Sequence, residues 1–270
     1  MLFSTICDKI YSVIYMFFKT QDSIPANMGF KAFDLTHLLW LAAAVVLAVI
    51  ACTLYRRLDA KKQVIMLRVM GCYIFIQEML KNVVVAAAGE FSYGYLPFHL
   101  CGINILLIVF DIIKPTATVR SFLYFFCIPG AALALLFPNW TETPFFNFFH
   151  WHSFLIHILL TIYPLLLVTS GQIKPNFKSA MKSLLLLICL AIPIYFLNLL
   201  WGTNFMFLMR PDSGNPLELF EKLLGSHLWG FPILLPIVMF IMYIPLGIAY
   251  KHKKSAPQMP ETEEREKMTV

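Results

Sequence analysis

The chain has 270 residues, 59% hydrophobic and only 13% charged, with 25 phenylalanines and a mean hydropathy of +0.73. A soluble domain carries about a quarter charged residues, so a water-soluble globular fold is excluded and lipid must cover most of the outside. The net charge of +6 does not indicate a nucleic-acid partner, because the basic residues sit in short segments between apolar runs, as in cytoplasmic loops of membrane proteins.

Long unbroken apolar runs, without the short alternating segments of a β-barrel, predict an all-α membrane protein. Residues 1–33 read as an amino-terminal interfacial segment. Its first part is apolar but interrupted by Asp8 and Lys9, and it has neither the basic start nor the small-residue cleavage site of a signal peptide. Residues 34–250 read as a seven-helix transmembrane bundle, since a span needs roughly 20 apolar residues. The spans fall near Leu35–Tyr55, Val64–Ala88, Pro97–Ile113, Ser121–Phe137, Phe148–Thr169, Leu184–Trp201 and Trp229–Tyr250. Residues 251–270 read as a disordered, charged cytoplasmic tail. No internal repeat of the transporter kind is evident.

The connections set an orientation. Arg56, Arg57, Lys61 and Lys62 follow the first span, Lys114 and Arg120 the third, and Lys174, Lys178 and Lys182 the fifth. The connections around Glu90 and Glu142 hold no basic residue. The positive-inside rule then puts the amino terminus outside and the carboxyl terminus in the cytoplasm, with Lys9, Lys19 and Lys31 as a mild counterweight. The protein is expected in the cell membrane as a multi-pass protein.

Six cysteines show no paired spacing, and most lie in apolar runs, where cysteine acts as a small hydrophobe. Neither a disulfide framework nor a zinc site is expected, and no cofactor is called for.

Polar groups inside spans cost about 2.5–3.5 kcal/mol each on insertion scales, so each needs a reason. Glu78, Lys81 and Asn82 share one helical face of the second span. Taken alone they read as an ion pair that locks two helices. The third span opens Leu96-Pro97-Phe98-His99-Leu100-Cys101, with Pro97 suited to a first helical turn. A helix amino terminus lowers a thiol's pKa, which favours the thiolate at Cys101. His157 lies two turns into the fifth span, whereas His150 and His152 read as wet residues at the membrane surface. Asn198 ends the sixth span, and Asn204 follows it closely. At 1.5 Å per residue, these groups from four spans reach similar depths in the extracytoplasmic half. One shared site explains that better than four separate accidents. His99 and Cys101, two apart, would point about 200° away from each other on a regular helix, so His157 is the better base.

At these residues the sequence resembles the YwaF-type family of bacterial integral membrane proteins. The resemblance is carried by Leu96-Pro97-Phe98-His99-Leu100-Cys101, by the histidine-bearing Phe149–His157 stretch, and by Gly202-Thr203-Asn204-Phe205-Met206-Phe207-Leu208. That family is similar to a mammalian transmembrane acyltransferase that remodels ether phospholipids through a cysteine acyl-enzyme. The resemblance implies that Cys101 takes the acyl group and that His99 or His157 assists. The chain departs from the pattern at Phe98, where leucine is usual, and at Phe205, where tyrosine is usual.

The functional expectation is a phospholipid acyltransferase or transacylase that moves an acyl chain to a lysolipid or glycerophosphodiester. Glu78, Lys81 and Asn82 would orient the histidine or hold a phosphate, and Asn198 and Asn204 would donate to the oxyanion. The alternative is a transporter or flippase of a small amphiphile with a central polar site. A non-catalytic receptor or assembly factor is the third reading. The partner is a membrane phospholipid or lysolipid; a homo-oligomer is compatible with the sequence.

Overall fold

The structure, a computed structural model, describes residues 16–211 and 216–255. The expected interfacial helix before residue 16 and the expected tail beyond Ser255 lie outside the described residues. Helices α1 (Leu35–Arg57), α2 (Ala60–Ala87), α3 (Leu100–Ile113), α4 (Ala117–Leu136), α5 (Phe148–Thr169), α6 (Phe177–Trp201), α7 (Pro216–Leu224) and α8 (Gly230–Ser255) follow in order, with no strand among the described residues.

Six of these helices are long and apolar enough to cross a membrane: α1, α2, α4, α5, α6 and the one that opens at His227 and continues as α8. The expected third span is shorter than Pro97–Ile113. Pro97 stands before the helix rather than in its first turn, and α3 has 14 residues, about 21 Å at 1.5 Å per residue. That is less than the roughly 30 Å of a hydrocarbon core. Elsewhere helices extend past the apolar runs. Lys178 and Lys182 lie within the first turns of α6, and Lys61 and Lys62 within the first turn of α2. The short amphipathic α7 was not foreseen. It follows from Leu217, which is buried, and from the Glu218–Lys222 pair at i,i+4.

Local chemistry fixes the helix starts. Asp34, Asp59, Thr116, Asn147 and Asn176 each accept a backbone N–H at the start of α1, α2, α4, α5 and α6, and Asn176 forms a full capping box with Ser179. In α4 a π-helical turn, Leu123–Cys127, precedes Pro129. A proline ring clashes with the carbonyl four residues back, here Phe125, and the wider turn relieves that clash.

The core gathers α1 to α5 around Phe122, Phe125, Phe154 and Tyr163. The helices alternate in direction, so the connections fall at two ends. At the basic end, Gln172 donates to the Tyr55 hydroxyl at 2.6 Å and to Gln63 Oε1 at 3.0 Å, joining the α5–α6 and α1–α2 turns. At the other end residues 16–33 form a strap. Asn147 donates to the carbonyls of Met16 and Lys19 (2.8 and 2.9 Å), Phe30 N–H reaches Thr141 O (2.9 Å), and Lys19 pairs with Glu90 at 2.9 Å. Burial raises the Glu90 pKa, but hydrogen bonds from Thr20 and Lys19 outweigh it and hold the carboxyl down at about 2.

Candidate functional site

Helix α3 begins differently from its neighbours. Its N-cap residue, His99, is extended (φ −66°, ψ 157°) and caps no backbone N–H with its side chain. The N–H groups of Leu100, Cys101 and Gly102, in the first turn, have no intrahelical partner. The chain before it folds back on that turn: a Cβ at Gly102 would lie 2.6 Å from the Cα and carbonyl carbon of Pro97. Only glycine permits this approach, which seats the Leu96–Phe98 segment on the first turn. Because His99 stands outside the helix, the 200° separation expected between it and Cys101 does not apply.

Lys81, on α2, is the charge common to the site. Its ammonium binds Glu78 at 2.5 Å and the Tyr95 carbonyl at 3.3 Å. Cys101, His99, His152 and His157 all lie within electrostatic range of it. Glu78 is also within range of Cys101. Glu78, His99, Cys101 and His157, from α2, the head of α3 and α5, thus share Lys81 as a neighbour, and among the described residues no hydrogen bond joins Cys101 to either histidine. Cys101 itself makes no hydrogen bond among the described residues.

The two histidines differ in their partners. His157 Nδ1 faces the Ser153 carbonyl at 2.7 Å, and Trp140 stacks on its ring at 5.0 Å between centroids. A carbonyl only accepts, so Nδ1 carries the proton and Nε2 keeps its lone pair. His99 Nδ1 instead accepts the Met206 N–H at 3.4 Å, which places its proton on Nε2. The rings of Phe205 and Phe207 flank it at 5.3 and 5.7 Å. Met206 and Phe207 both have left-handed φ, 57° and 56°, a conformation that costs roughly 1–2 kcal/mol per non-glycine residue.

Asn198 and Asn204 hold that strained turn. Asn198 donates to Phe205 O and accepts from Thr203 Oγ1 and Phe205 N–H; Asn204 donates to Arg210 O and accepts from Met209 and Arg210 N–H. Each amide commits its oxygen and one N–H to the loop, and the second N–H has no partner among the described residues.

Two expectations about α5 are corrected. His150 is 0% exposed and ties α1 to the 140s loop, accepting from Trp40 Nε1 at 3.0 Å while its Nδ1 meets Thr143 O at 3.1 Å. His152 is 7% exposed. Both are buried rather than wet: Phe30 of the strap and Phe145 of the preceding loop lie against His150, and Phe148 stacks on His152.

Sequence reading missed Asn104. One turn beyond Cys101 on the same face, it is 1% exposed, and both its amide atoms lack partners among the described residues. Asn82 Oδ1 and His152 Nε2 are likewise buried and unpartnered. Asn104 escaped because an asparagine amid Ile103, Ile105, Leu106 and Leu107 carries no motif; its spacing of three from Cys101 was the available signal. Asp111, buried at 2% and also missed, lies at the basic end of α3. Among the described residues no three of His, Cys, Asp and Glu converge as metal ligands.

No curated protein and no solved structure matches the chain. The family model of the TMEM164 family matches residues 32–243, from the end of the strap into α8.

Proposed function

We propose that this chain, which belongs to the TMEM164 family of transmembrane proteins, is a membrane-embedded acyltransferase with Cys101 as acyl-enzyme nucleophile. The observation that carries the reading is the head of α3. A cysteine sits among uncapped backbone N–H groups, with Asn104, an amide without a partner among the described residues, one turn below, and with His157 of α5 sharing Lys81 as an electrostatic neighbour. The likeness of the Leu96–Cys101 signature to YwaF-type proteins belongs to the same reading.

Cys101 Sγ–H passes its proton to His157 Nε2, and the sulfur attacks the ester carbonyl of a phospholipid. The carbonyl electron pair moves onto oxygen, where the free N–H groups of the α3 terminus and the Asn104 amide receive it. Collapse breaks the ester C–O bond, and the departing lysolipid oxygen takes the proton from His157. An acceptor hydroxyl then gives its proton to His157 and attacks the thioester; the C–S bond breaks and sulfur regains a proton. Lys81, held by Glu78, supports the negative charge, and His99 Nε2–H offers a donor to the substrate. The bond between Cys101 and His157 forms on substrate binding, as catalytic bonds commonly tighten then.

We read α3 with residues 96–99 as a seventh membrane segment, with the amino terminus outside and the carboxyl terminus cytoplasmic. The three basic connections on one side support that reading. Acyl-CoA is cytoplasmic, so a site at the opposite end takes its acyl chain from a bilayer lipid, and transacylation is the expected chemistry.

The test is intact-mass measurement of purified protein, wild type beside Cys101→Ala, after incubation with a phospholipid bearing a labelled acyl chain. A single hydroxylamine-labile adduct, missing from the variant, supports the acyl-enzyme. No adduct across several donors, with transport of an amphiphile kept in Cys101→Ala and lost in Glu78→Gln, would replace it with the transporter reading.

A further inference from the structure

The opposite end of the bundle carries a second site that the acyl-transfer reading does not use. A cavity of about 230 Å³ opens there, lined by Arg120, Lys174, Thr116, Asn176 and Ser179 among others. Arg120 is oriented by its Nε, which binds Asp111 Oδ1 at 2.9 Å, and Tyr163 completes that carboxylate through a 2.9 Å hydrogen bond. The terminal amino groups of the guanidinium have no protein partner among the described residues. The Asp111 charge is thus answered from behind, leaving a fixed planar fork at the cavity.

Two helices begin at the same cavity. Thr116 caps α4 through Val119 N–H at 3.2 Å, and Asn176 caps α6 through Ser179 N–H at 2.9 Å. Each cap satisfies one N–H and leaves others of the first turn open, so two positive helix ends converge there. Ser183 Oγ to Thr118 O, at 3.5 Å, spans the two helices beside it. Lys174 lies on the rim, exposed and without a partner among the described residues. An oriented guanidinium, a mobile ammonium and two helix amino termini around one small polar cavity are the elements that recognise a phosphoryl group, with arginine supplying the bidentate contact.

We propose that this cavity binds a phosphate-bearing anion, with Arg120 as the oriented contact and Lys174 as the flexible one. The phosphate reaches it either as a lipid headgroup at the basic face or as a soluble phosphate, and the two sources share one recognition chemistry.

The experiment uses the full chain in nanodiscs of zwitterionic lipid. One arm titrates radiolabelled inorganic phosphate; the other measures phosphatidic acid retained by the protein after extraction from mixed-lipid nanodiscs. Wild type is compared with Lys174→Gln and with Arg120→Lys, which keeps the charge facing Asp111 but loses the fork. Saturable binding in either arm, weakened about tenfold in each variant, supports the site. Binding in the first arm identifies a soluble phosphate, and binding in the second alone identifies a headgroup. Saturation in neither arm, or unchanged affinity in both variants at unchanged thermal midpoint, overturns it. The Cys101→Ala variant binds as wild type does, so failure here is separable from failure of the acyl-enzyme.

Discussion

At the basic end of the bundle, Asp111 accepts from Arg120 and Tyr163, and Gln172 joins Tyr55 to Gln63. The buried charge there is answered by side chains already in place. At the other end Glu78 and Lys81 also pair, yet Asn82, Asn104 and His152 each bury a polar atom without a partner, and the α3 terminus is uncapped. Leaving such an atom unsatisfied costs about 1–3 kcal/mol. The carboxylate of Asp111 is fully answered and explains itself by stability, while the amino groups of Arg120 that face outward belong to the cavity beside it. The buried atoms left open at the heads of two helices ask for a ligand of their own, and the difference separates the Asp111 cluster from the candidate reaction site.

The comparison breaks most sharply at Cys101. In Cys101→Ala, transfer of labelled acyl chains should fall by about 10³-fold or more, with an unchanged thermal midpoint; retained transfer removes the nucleophile. At Asp111 the effect should be on stability. Asp111→Asn leaves Arg120 without its counter-charge and should cost about 3 kcal/mol in detergent unfolding, with acyl transfer per folded molecule unchanged. Gly102→Ala pushes a methyl group into the Pro97 backbone and should slow transfer about 10²-fold through displacement of the His99 segment. Asn104→Leu sharpens the contrast, because it removes two unsatisfied atoms. Stability should hold or rise while transfer drops by about tenfold or more, read by unfolding and turnover on one sample; a fall in stability alone would make Asn104 structural. The smallest effect is at the strap. With Glu90 held at about 2, below the ordinary glutamate value of 4.5, its contribution is present at neutral pH and fades as pH falls from about 4.5 toward 2. Glu90→Gln should abolish that acid dependence of strap protection in hydrogen exchange.

Much of this was legible in the residues. Composition and long apolar runs gave a helical membrane fold, and costly polar groups singled out Glu78, Cys101 and His157, each of which has Lys81 as an electrostatic neighbour. What escaped depended on tertiary context. His99 was read on a regular helix, but Pro97 and Gly102 hold it outside one. His150 and His152 were read as wet because burial was not visible locally; Phe30 and Trp40, which pack on His150, are more than 100 positions away. Asn198 and Asn204 were read as oxyanion donors, and their bonds within the loop were not visible, since a loop that folds onto its own asparagines leaves no periodic trace. Asp111 was overlooked at the end of an apolar run whose partner, Arg120, was counted only as a loop charge.

The tie between Trp40 and His150 has a consequence for biogenesis. The two residues are 110 positions apart, and His37 on the same helix meets Leu135 at a separation of 98. During synthesis at about 5–20 residues per second, α1 therefore waits on the order of 5–20 s in the bilayer before its polar partners exist. Its joining to the bundle is a late event, set by the ribosome.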